Sequence, residues 1–333
     1  MNIKNLSFPP LASTDLQHSI SLVENSFWNN LRGKRIFLTG GTGFVGKWLL
    51  ASLAEADRKF ALNCEVVVLS RNPQEFYRKV PYITKYKGLS LVCGDVRTFE
   101  GIKGRFDWVI HAATDVASQV THIKTFDTCV TGTRRLLEFA KGVGCRNFLL
   151  ISSGAIYGHQ PSELIKIPEH YSGAPDCCNP EAAYGNGKRS AEWIANAFAQ
   201  EFGIRVVTAR LFSFVGPYLP LDKQFAIGNF IQSALMGMPI IIKGDGTTVR
   251  TYLHAADMTG WLWNICFRGQ TGSAYNVGSE DSISMIELAN RVAQIAGSKG
   301  GIQIKGKTVM GVPPDRYVPD VSRMYNELGM LKE

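Results

Sequence analysis

The sequence predicts an α/β protein, with a doubly wound parallel sheet and a smaller C-terminal α/β domain. Through the first two thirds of the chain, short apolar runs alternate with longer amphipathic segments, and a glycine-rich turn follows the first run. Strands of a parallel sheet are covered on both faces, so they become continuous apolar runs connected by helices. With 333 residues, of which 45% are apolar, the chain can bury a large core.

Six short apolar runs are the expected strands of the main sheet. They cover residues 35–39, 65–70, 90–93, 108–111, 148–152 and 205–211. Before them, residues 14–31 are compatible with a helix whose apolar side chains favour one side. We therefore expect an N-terminal helical extension, residues 1–32, packed on a main domain of residues 33–212.

Glycine and proline become more frequent after Phe212, which indicates a second and smaller domain. We assign residues 213–246 and 279–333 to this domain. The segment 247–278 is expected to return to the main domain, with a late strand just before Asn276-Val277-Gly278.

Composition excludes several classes of protein. The net charge of +8 comes from scattered Lys and Arg, without the basic stripe expected of a nucleic-acid groove. The seven cysteines have neither a C-x-x-C pair nor a cluster with histidine, so no metal is expected. No run reaches the roughly 20 apolar residues of a membrane span, and no signal peptide is evident. We therefore expect a cytoplasmic protein that binds neither nucleic acid nor a membrane.

The first strand leads directly into Thr39-Gly40-Gly41-Thr42-Gly43-Phe44-Val45-Gly46, and a helix is predicted from near Lys47. Gly40 permits a tight turn, Gly43 permits close approach of the backbone to a pyrophosphate, and Gly46 permits close packing of helix on strand. The helix N-terminus attracts the anion. A strand, turn and helix in this order predict a dinucleotide site.

The spacing G-x-x-G-x-x-G resembles that of the extended short-chain dehydrogenases/reductases, in particular the nucleotide-sugar-modifying NAD-dependent epimerase/dehydratase family. Gly94-Asp95-Val96, His111-Ala112-Ala113-Thr114, the segment Ser152 to Gly158 and Tyr184-Gly185-Asn186-Gly187-Lys188 follow in the family's order. The resemblance implies a Rossmann-like fold. The cofactor contacts that it implies are Gly40, Gly43, Phe44, Val45, Gly46, Ser70, Arg71, Asp95, Val96, Ala112, Ala113, Thr114, Ser152, Tyr184 and Lys188.

Tyr184 and Lys188 are four residues apart, so on a helix they share one face. A nearby ammonium favours the phenolate and lowers the tyrosine pKa, which lets Tyr184 exchange a proton with a sugar hydroxyl while hydride moves to or from the nicotinamide. In the family, the lysine also holds the cofactor ribose and the serine bonds the reacting oxygen. Ser153, Tyr184 and Lys188 are thus the expected catalytic residues.

The second strand bears on the choice of cofactor. Family members that prefer NAD end this strand with an acidic residue, whereas here Ser70 and Arg71 follow Val66-Val67-Val68-Leu69. That pair suits a 2′-phosphate, although Arg71 could instead stack on the adenine of either cofactor. NADP(H) is therefore the preferred cofactor, and NAD(H) stays possible.

The second domain resembles the part of the family that binds nucleoside-diphosphate sugars. Arg210-Leu211-Phe212-Ser213 and Gly244-Asp245-Gly246 carry this resemblance. Arg250 can grip a diphosphate through its planar donor fork, and Arg316 is either a second such residue or a surface arginine. The expected substrate contacts are Ser213, Phe225, Arg250 and Arg316.

Departures from the family narrow the expected reaction. Nucleotide-sugar 4,6-dehydratases carry an acidic pair after the catalytic hydroxyl residue, but here Gly154 and Ala155 follow Ser153. This disfavours a dehydratase, and likewise a decarboxylase, and leaves a 4-ketoreductase or 4-epimerase. Cys129 and Ser213 replace asparagines of the family, so the substrate is expected to be unusual.

Alternatives stay open at this point. A 4,6-dehydratase is the alternative enzyme, and a catalytically silent dinucleotide-binding sensor or scaffold is the alternative of another class. Family relatives pair through two helices that correspond here to about 126–141 and 184–202, which implies a homodimer.

Overall fold

A seven-stranded parallel sheet lies at the centre of the protein, whose computed structural model describes residues 7–114, 120–222, 225–309 and 311–330. The described residues form strands in this sheet and in smaller sheets outside it. In chain order, they are β1 (Arg35–Thr39), β2 (Glu65–Ser70), β3 (Leu89–Cys93), β4 (Trp108–His111), β5 (Asn147–Ser153), β6 (Arg205–Leu211), β7 (Phe214–Val215), β8 (Ile240–Ile242), β9 (Val249–Thr251), β10 (Leu253–His254), β11 (Ala274–Val277), β12 (Ser282–Ser284), β13 (Ile302–Ile304) and β14 (Arg316–Tyr317).

The described residues also form ten α-helices, some of which cover the main sheet. They are α1 (Ser13–Ser21), α2 (Asn25–Asn29), α3 (Phe44–Phe60), α4 (Pro73–Lys79), α5 (His122–Gly142), α6 (Ala183–Phe202), α7 (Ala226–Leu235), α8 (Ala255–Arg268), α9 (Met285–Ala296) and α10 (Ser322–Leu328). Among the described residues, none of these helices is both long and apolar enough to cross a membrane.

The strand order of the main sheet is β3-β2-β1-β4-β5-β6-β11, and all of its pairs are parallel. Order reverses between β1 and β4, the switch point at which open α/β sheets bind their ligands. The predicted fold class is confirmed. Four of the six predicted strands have the predicted ends, while β3 begins one residue earlier and β5 is longer by one residue at each end.

Alternation of side chains along β1 explains how the sheet is covered on both faces. Ile36 and Leu38 join a cluster with Trp48 of α3 and Trp263 of α8, whereas Phe37 joins a cluster with Leu136 of α5 on the other face. A central strand flanked in this way must be apolar at every position. This is why the continuous runs were visible in the sequence.

The N-terminal extension packs on the main body, but the prediction of one helix over residues 14–31 was wrong. The chain forms α1 and α2 instead, with Glu24 in an extended conformation between them. The break lets Trp28 become fully buried, with its indole N–H donating to the Ile20 carbonyl and its ring 5.3 Å from that of Trp263. Burial of the large indole favours this break over a continuous helix.

The smaller layer is built from α7, α9 and short strands outside the main sheet. Strands β8 and β13 are parallel, and β9 lies between β12 and β14. Ile227, Phe230, Ile240 and Leu288 form part of its core. The late strand does not precede Asn276 but contains it, and this strand, β11, joins the main sheet beside β6. The domain boundaries given above stay a prediction, and residues 1–6 and 331–333 lie outside the described chain.

Candidate active site

The glycine-rich turn connects β1 to α3. Gly40 has a φ of +73°, and a Cβ there would lie 2.4 Å from the carbonyl carbon of Ala112. A Cβ on Gly46 would lie 2.3 Å from the Gly40 oxygen, so helix and turn touch at this point. Helix α3 begins at Phe44, earlier than the predicted start near Lys47, because Gly43 is the N-cap and Gly46 belongs to the first turn.

The residues of this turn fit the pyrophosphate of a dinucleotide. A Cβ on Gly43 would meet only the Gly40 oxygen within 4 Å, at 3.2 Å, so the backbone here borders open space. No side chain caps the N-terminus of α3. The first N–H groups of this 17-residue helix are therefore available to an anion that approaches over Gly43.

A cavity of about 210 Å³ lies beside this turn, at the switch point of the sheet. It collects many of the predicted cofactor contacts, namely Gly40, Gly43, Ser70, Arg71, Asp95, Val96, Ala112, Ala113 and Thr114. The cavity also has lining residues that are not among the predicted cofactor contacts, which are Thr39, Thr42, Leu69, Gly94 and Thr128. Its position matches that expected for the adenosine and pyrophosphate half of a dinucleotide.

Two charged side chains, those of Asp95 and Arg71, line the cavity. Arg97 donates to both carboxylate oxygens of Asp95 at 2.8 Å, and these hydrogen bonds lower the Asp95 pKa to about 2. Asp95 is therefore ionised and already oriented. Arg71 is exposed at the edge of the same cavity, next to Ser70, whose hydroxyl accepts a hydrogen bond from the Asn72 N–H.

His111 is the last residue of β4, next to the loop 112–114, and it carries no charge. It is buried, and its ring nitrogens lie 2.7 Å from the Thr39 hydroxyl and 3.1 Å from the Thr133 hydroxyl. Burial lowers its pKa to about 3. The neutral ring ties β4 to β1 and to α5 at the start of the loop 112–114.

Ser153 ends β5 beside the first turn of α6. Its hydroxyl oxygen accepts a hydrogen bond from the Ala155 N–H at 3.1 Å, and the hydroxyl lies near enough to Tyr184 to lower the Tyr184 pKa. Lys188 is buried, donates to the Ile151 carbonyl at 2.7 Å and lies 6.0 Å from the centroid of the Tyr184 ring. The structure thus brings the three predicted catalytic residues together at the carboxyl end of β5.

The protonation state of Tyr184 differs from the expectation that Lys188 would lower its pKa. Burial raises the pKa of Tyr184 to about 12, and only the nearby Ser153 side chain acts in the opposite direction. The Lys188 ammonium is directed to the Ile151 carbonyl, and burial lowers its own pKa. In this state of the protein, Tyr184 is a neutral phenol, suited to donating a proton.

Ser152, a predicted cofactor contact, is directed away from Ser153. Its hydroxyl donates to Glu192 at 2.5 Å, and Glu192 forms an ion pair with Arg210 at 2.8 Å. Arg210 also donates to the Tyr157 hydroxyl at 2.7 Å. These side chains form a buried network behind the site, which leaves only the backbone of Ser152 for a cofactor. Arg210, quoted above for its resemblance to the sugar-binding stretch, has a structural place in this network.

The predicted substrate contacts are scattered over the smaller layer. Arg250 of β9 donates to Asp315 at 2.7 Å and lies 5.8 Å from the centroid of the Tyr317 ring. Arg316 of β14 is partly buried and lies opposite Val249 of β9. Ser213 is partly buried between β6 and β7, and Phe225 is the exposed N-cap of α7. Of the four, Arg250 has the contacts that tie it nearest to Ser153, through Tyr317.

Tyr317 is a further residue near Ser153 that sequence reasoning missed. Its hydroxyl lies beside Gly154, 2.5 Å from where a Cβ on that residue would be, and its ring packs on Phe212 with centroids 4.5 Å apart. The sequence holds no motif that would have found it, because the contact joins a two-residue strand near the end of the chain to the residue that follows β5.

Comparisons with known proteins identify the family. Residues 36–278 match the model of the NAD dependent epimerase/dehydratase family, and the chain belongs to that family. A curated relative, UDP-glucuronic acid decarboxylase 1 of Xenopus tropicalis, is 29% identical over 299 residues, which are 89% of this chain and 68% of the relative.

Two solved structures share the fold. An epimerase of Methanothermobacter thermautotrophicus has a TM-score of 0.77 and 24% identity, covering 92% of this chain and 90% of the other. A dTDP-glucose 4,6-dehydratase of Streptomyces venezuelae, solved with NAD bound, has a TM-score of 0.75 and 24% identity, covering 90% and 92%. The predicted resemblance to this family is confirmed.

Proposed function

We propose that the protein is an NAD(P)-dependent enzyme that transfers hydride at carbon 4 of a nucleoside-diphosphate sugar, as a 4-ketoreductase or a 4-epimerase. The observation that carries this proposal is the cluster of Ser153, Tyr184 and Lys188 at the end of β5, beside a glycine turn suited to a dinucleotide. A catalytically silent sensor or scaffold has no need of this set. Family membership and the curated nucleotide-sugar relative support the substrate class.

A nicotinamide dinucleotide, when bound, supplies or accepts the hydride. Tyr184 gives a proton to the sugar oxygen during reduction, for which its neutral phenol is suited, and takes the proton back during oxidation. Ser153 holds the same oxygen. Lys188 has one of its three protons on the Ile151 carbonyl, which leaves two to hold the cofactor ribose and to stabilise a phenolate.

The space beside Ser153 argues against the acid and base chemistry of a 4,6-dehydratase. A Cβ on Gly154 would lie 2.5 Å from the Tyr317 hydroxyl and 2.8 Å from Phe212, so this position has no room for an acidic side chain. Decarboxylation is a second candidate, because the curated relative is named for it. Dehydration and decarboxylation both begin with oxidation at carbon 4, which Ser153, Tyr184 and Lys188 could perform.

The substrate class can be tested with a panel of nucleotide sugars. We expect turnover with 4-keto nucleotide sugars plus NADPH, or interconversion of 4-epimers, and no release of CO₂ from UDP-glucuronic acid. Tyr184→Phe should reduce turnover by about a hundredfold or more, because a positioned general acid–base contributes on this order. Product formation followed by chromatography and cofactor absorbance is the measurement.

Tyr82→Phe is the matched control, since the Tyr82 hydroxyl is buried without a hydrogen-bond partner in the described part of the chain. It should retain full activity. Full turnover by Tyr184→Phe would disprove the assignment of the proton donor, and release of CO₂ would instead establish the decarboxylase.

A further inference from the structure

The smaller layer carries a surface that is both basic and apolar, built from residues 235–244 and 291–314, apart from Asp245 and Asp315 just beyond them. These two stretches hold no aspartate or glutamate, and their five cationic side chains are all exposed: Lys243, Arg291, Lys299, Lys305 and Lys307. They also hold eight of the fourteen large apolar side chains that are exposed in the described chain, which are Leu235, Met236, Met238, Ile241, Ile295, Ile304, Val309 and Val312. Folded proteins seldom concentrate exposed apolar side chains in one region unless that region binds something.

Strands β8 and β13 form a two-stranded parallel ribbon that brings these stretches together. The Lys305 N–H donates to the Ile242 carbonyl at 2.9 Å, so the chains stay side by side beyond the strands. Ile240 and Ile242 are buried in the core of the smaller layer, whereas Ile241 between them is 46% exposed. Because side chains alternate along a strand, Lys243 lies on the same outer side as Ile241. The outer side of the ribbon thus combines an apolar side chain with ammonium groups.

The turn 235–238, which leads from α7 into β8, presents further apolar side chains beside the ribbon. Leu235, Met236 and Met238 are all exposed, and Leu235 is 71% exposed. Gly237 has a φ of +67°, and the Met238 N–H closes the turn by donating to the Ser233 carbonyl at 2.9 Å. Three exposed apolar side chains on one tight turn make a convex apolar tip. Such a tip is suited to insertion into a partner, in contrast to a groove that receives a segment.

Charge and shape favour an anionic lipid surface as the partner. A second copy of the chain would present the same cations, so a symmetric contact through this surface would bring like charges together. A protein partner would need an acidic pocket that matches the convex tip, whereas a lipid interface adapts to projecting side chains. Anionic headgroups attract lysines that lie close to the membrane surface, and flexible methionine and leucine side chains insert readily between acyl chains.

We propose that the ribbon and the turn 235–238 bind the surface of a membrane that contains anionic phospholipids, with the apolar tip inserted among the lipids and the lysines on their headgroups. Attachment of this kind needs no membrane-spanning helix. It revises the expectation that the protein binds no membrane, because that expectation rested on cations that are scattered in the sequence and gather only when β8 pairs with β13. The inference is independent of the proposed function, since Leu235 and the candidate substrate contact Phe225 lie at opposite ends of α7.

Co-sedimentation with sucrose-loaded vesicles tests the proposal. We expect the wild type to pellet with vesicles of phosphatidylcholine and phosphatidylglycerol but not with phosphatidylcholine alone, and to be released as the salt concentration rises. Lys243→Glu/Lys305→Glu should weaken binding about twentyfold or more, because each lysine near an anionic surface contributes about fivefold. Leu235→Ser/Met236→Ser should also weaken binding, and it should leave the salt dependence unchanged.

Matched variants elsewhere on the surface separate this binding from an effect of total charge. Lys87→Glu/Lys103→Glu makes the same change of charge at exposed positions of the main domain, and Ile165→Ser removes an apolar side chain that is equally exposed. Both should pellet like the wild type. Equal weakening by the two lysine pairs would overturn the proposal, because only total charge would then matter. Wild type that stays in solution with anionic vesicles would also overturn it, and would leave an acidic protein as the partner of this surface.

Discussion

Ser152 and Ser153 are neighbours in sequence, yet they serve different parts of the molecule. The pleat of β5 directs Ser152 to the buried pair of Glu192 and Arg210, and Ser153 to the phenols of Tyr184 and Tyr317. Motif spacing predicted that Ser153, Tyr184 and Lys188 converge, because each lies at a fixed step from the end of a strand or the start of a helix. It could not predict Tyr317, whose place depends on how a distant strand pairs with β9.

The predicted preference for NADP(H) depends on a single side chain, that of Arg71. Its exposed side chain borders the cavity next to Ser70, where a 2′-phosphate would gain charge-assisted hydrogen bonds. We expect Arg71→Ala to weaken NADPH binding about tenfold or more and to change NADH binding little. Titration of each cofactor by fluorescence is the measurement.

Arg105→Ala is a suitable control for charge, since Arg105 is exposed and lies outside the cavity. Equal weakening of both cofactors by Arg71→Ala would mean that the arginine stacks on adenine. In that case, the preference for NADP(H) would have to be abandoned.

At the scale of elements, strands were easier to predict than helices. A strand covered on both faces, such as β1 or β2, must be apolar throughout, and turns mark its ends. Helix ends depend on tertiary contacts. Packing of Trp28 on Trp263 divides the predicted N-terminal helix, and contact between Gly46 and Gly40 draws the start of α3 into the glycine turn.

Helices α5 and α6 pack on one face of the sheet and carry exposed apolar side chains, and we propose that the homodimer implied by the resemblance forms through them. Trp193 of α6 is 71% exposed and Ile123 of α5 is 76% exposed. We expect Trp193→Asp to convert a dimer into a monomer, because a buried carboxylate without a partner is costly at an interface. Light scattering after size-exclusion chromatography gives the mass.

Ile295 offers the control for this experiment, since it is 81% exposed on α9, away from both helices. Ile295→Asp should leave the mass unchanged. A wild-type protein that is monomeric at all concentrations would exclude the dimer.

The free energy of unfolding of the whole molecule is expected to depend on pH because of the buried His111. Its pKa is about 3 in the folded protein and near 6.5 when unfolded, so the unfolded chain binds the extra proton. Stability contributed by the neutral ring is complete above about pH 6.5 and is lost as pH falls toward 3. Between pH 7 and about pH 4.5, this loss amounts to about 2–3 kcal/mol.

We expect His111→Gln to flatten the acid side of the profile of unfolding free energy against pH, measured with urea at each pH. His170→Gln is the control, because His170 is exposed. Parallel profiles for the wild type and His111→Gln would show that His111 is not the group that titrates.

The place of β11 in the main sheet has a consequence for biosynthesis. This strand pairs with β6, yet residues 212–273 are translated between them. Until residues 274–277 leave the ribosome, the nascent chain presents the open edge of β6, and Asn276 cannot yet accept the hydrogen bond of the Tyr157 hydroxyl. An unpaired apolar edge invites association with other chains. The emerging polypeptide thus passes through an interval in which a chaperone would be most useful, and that interval closes when β11 docks.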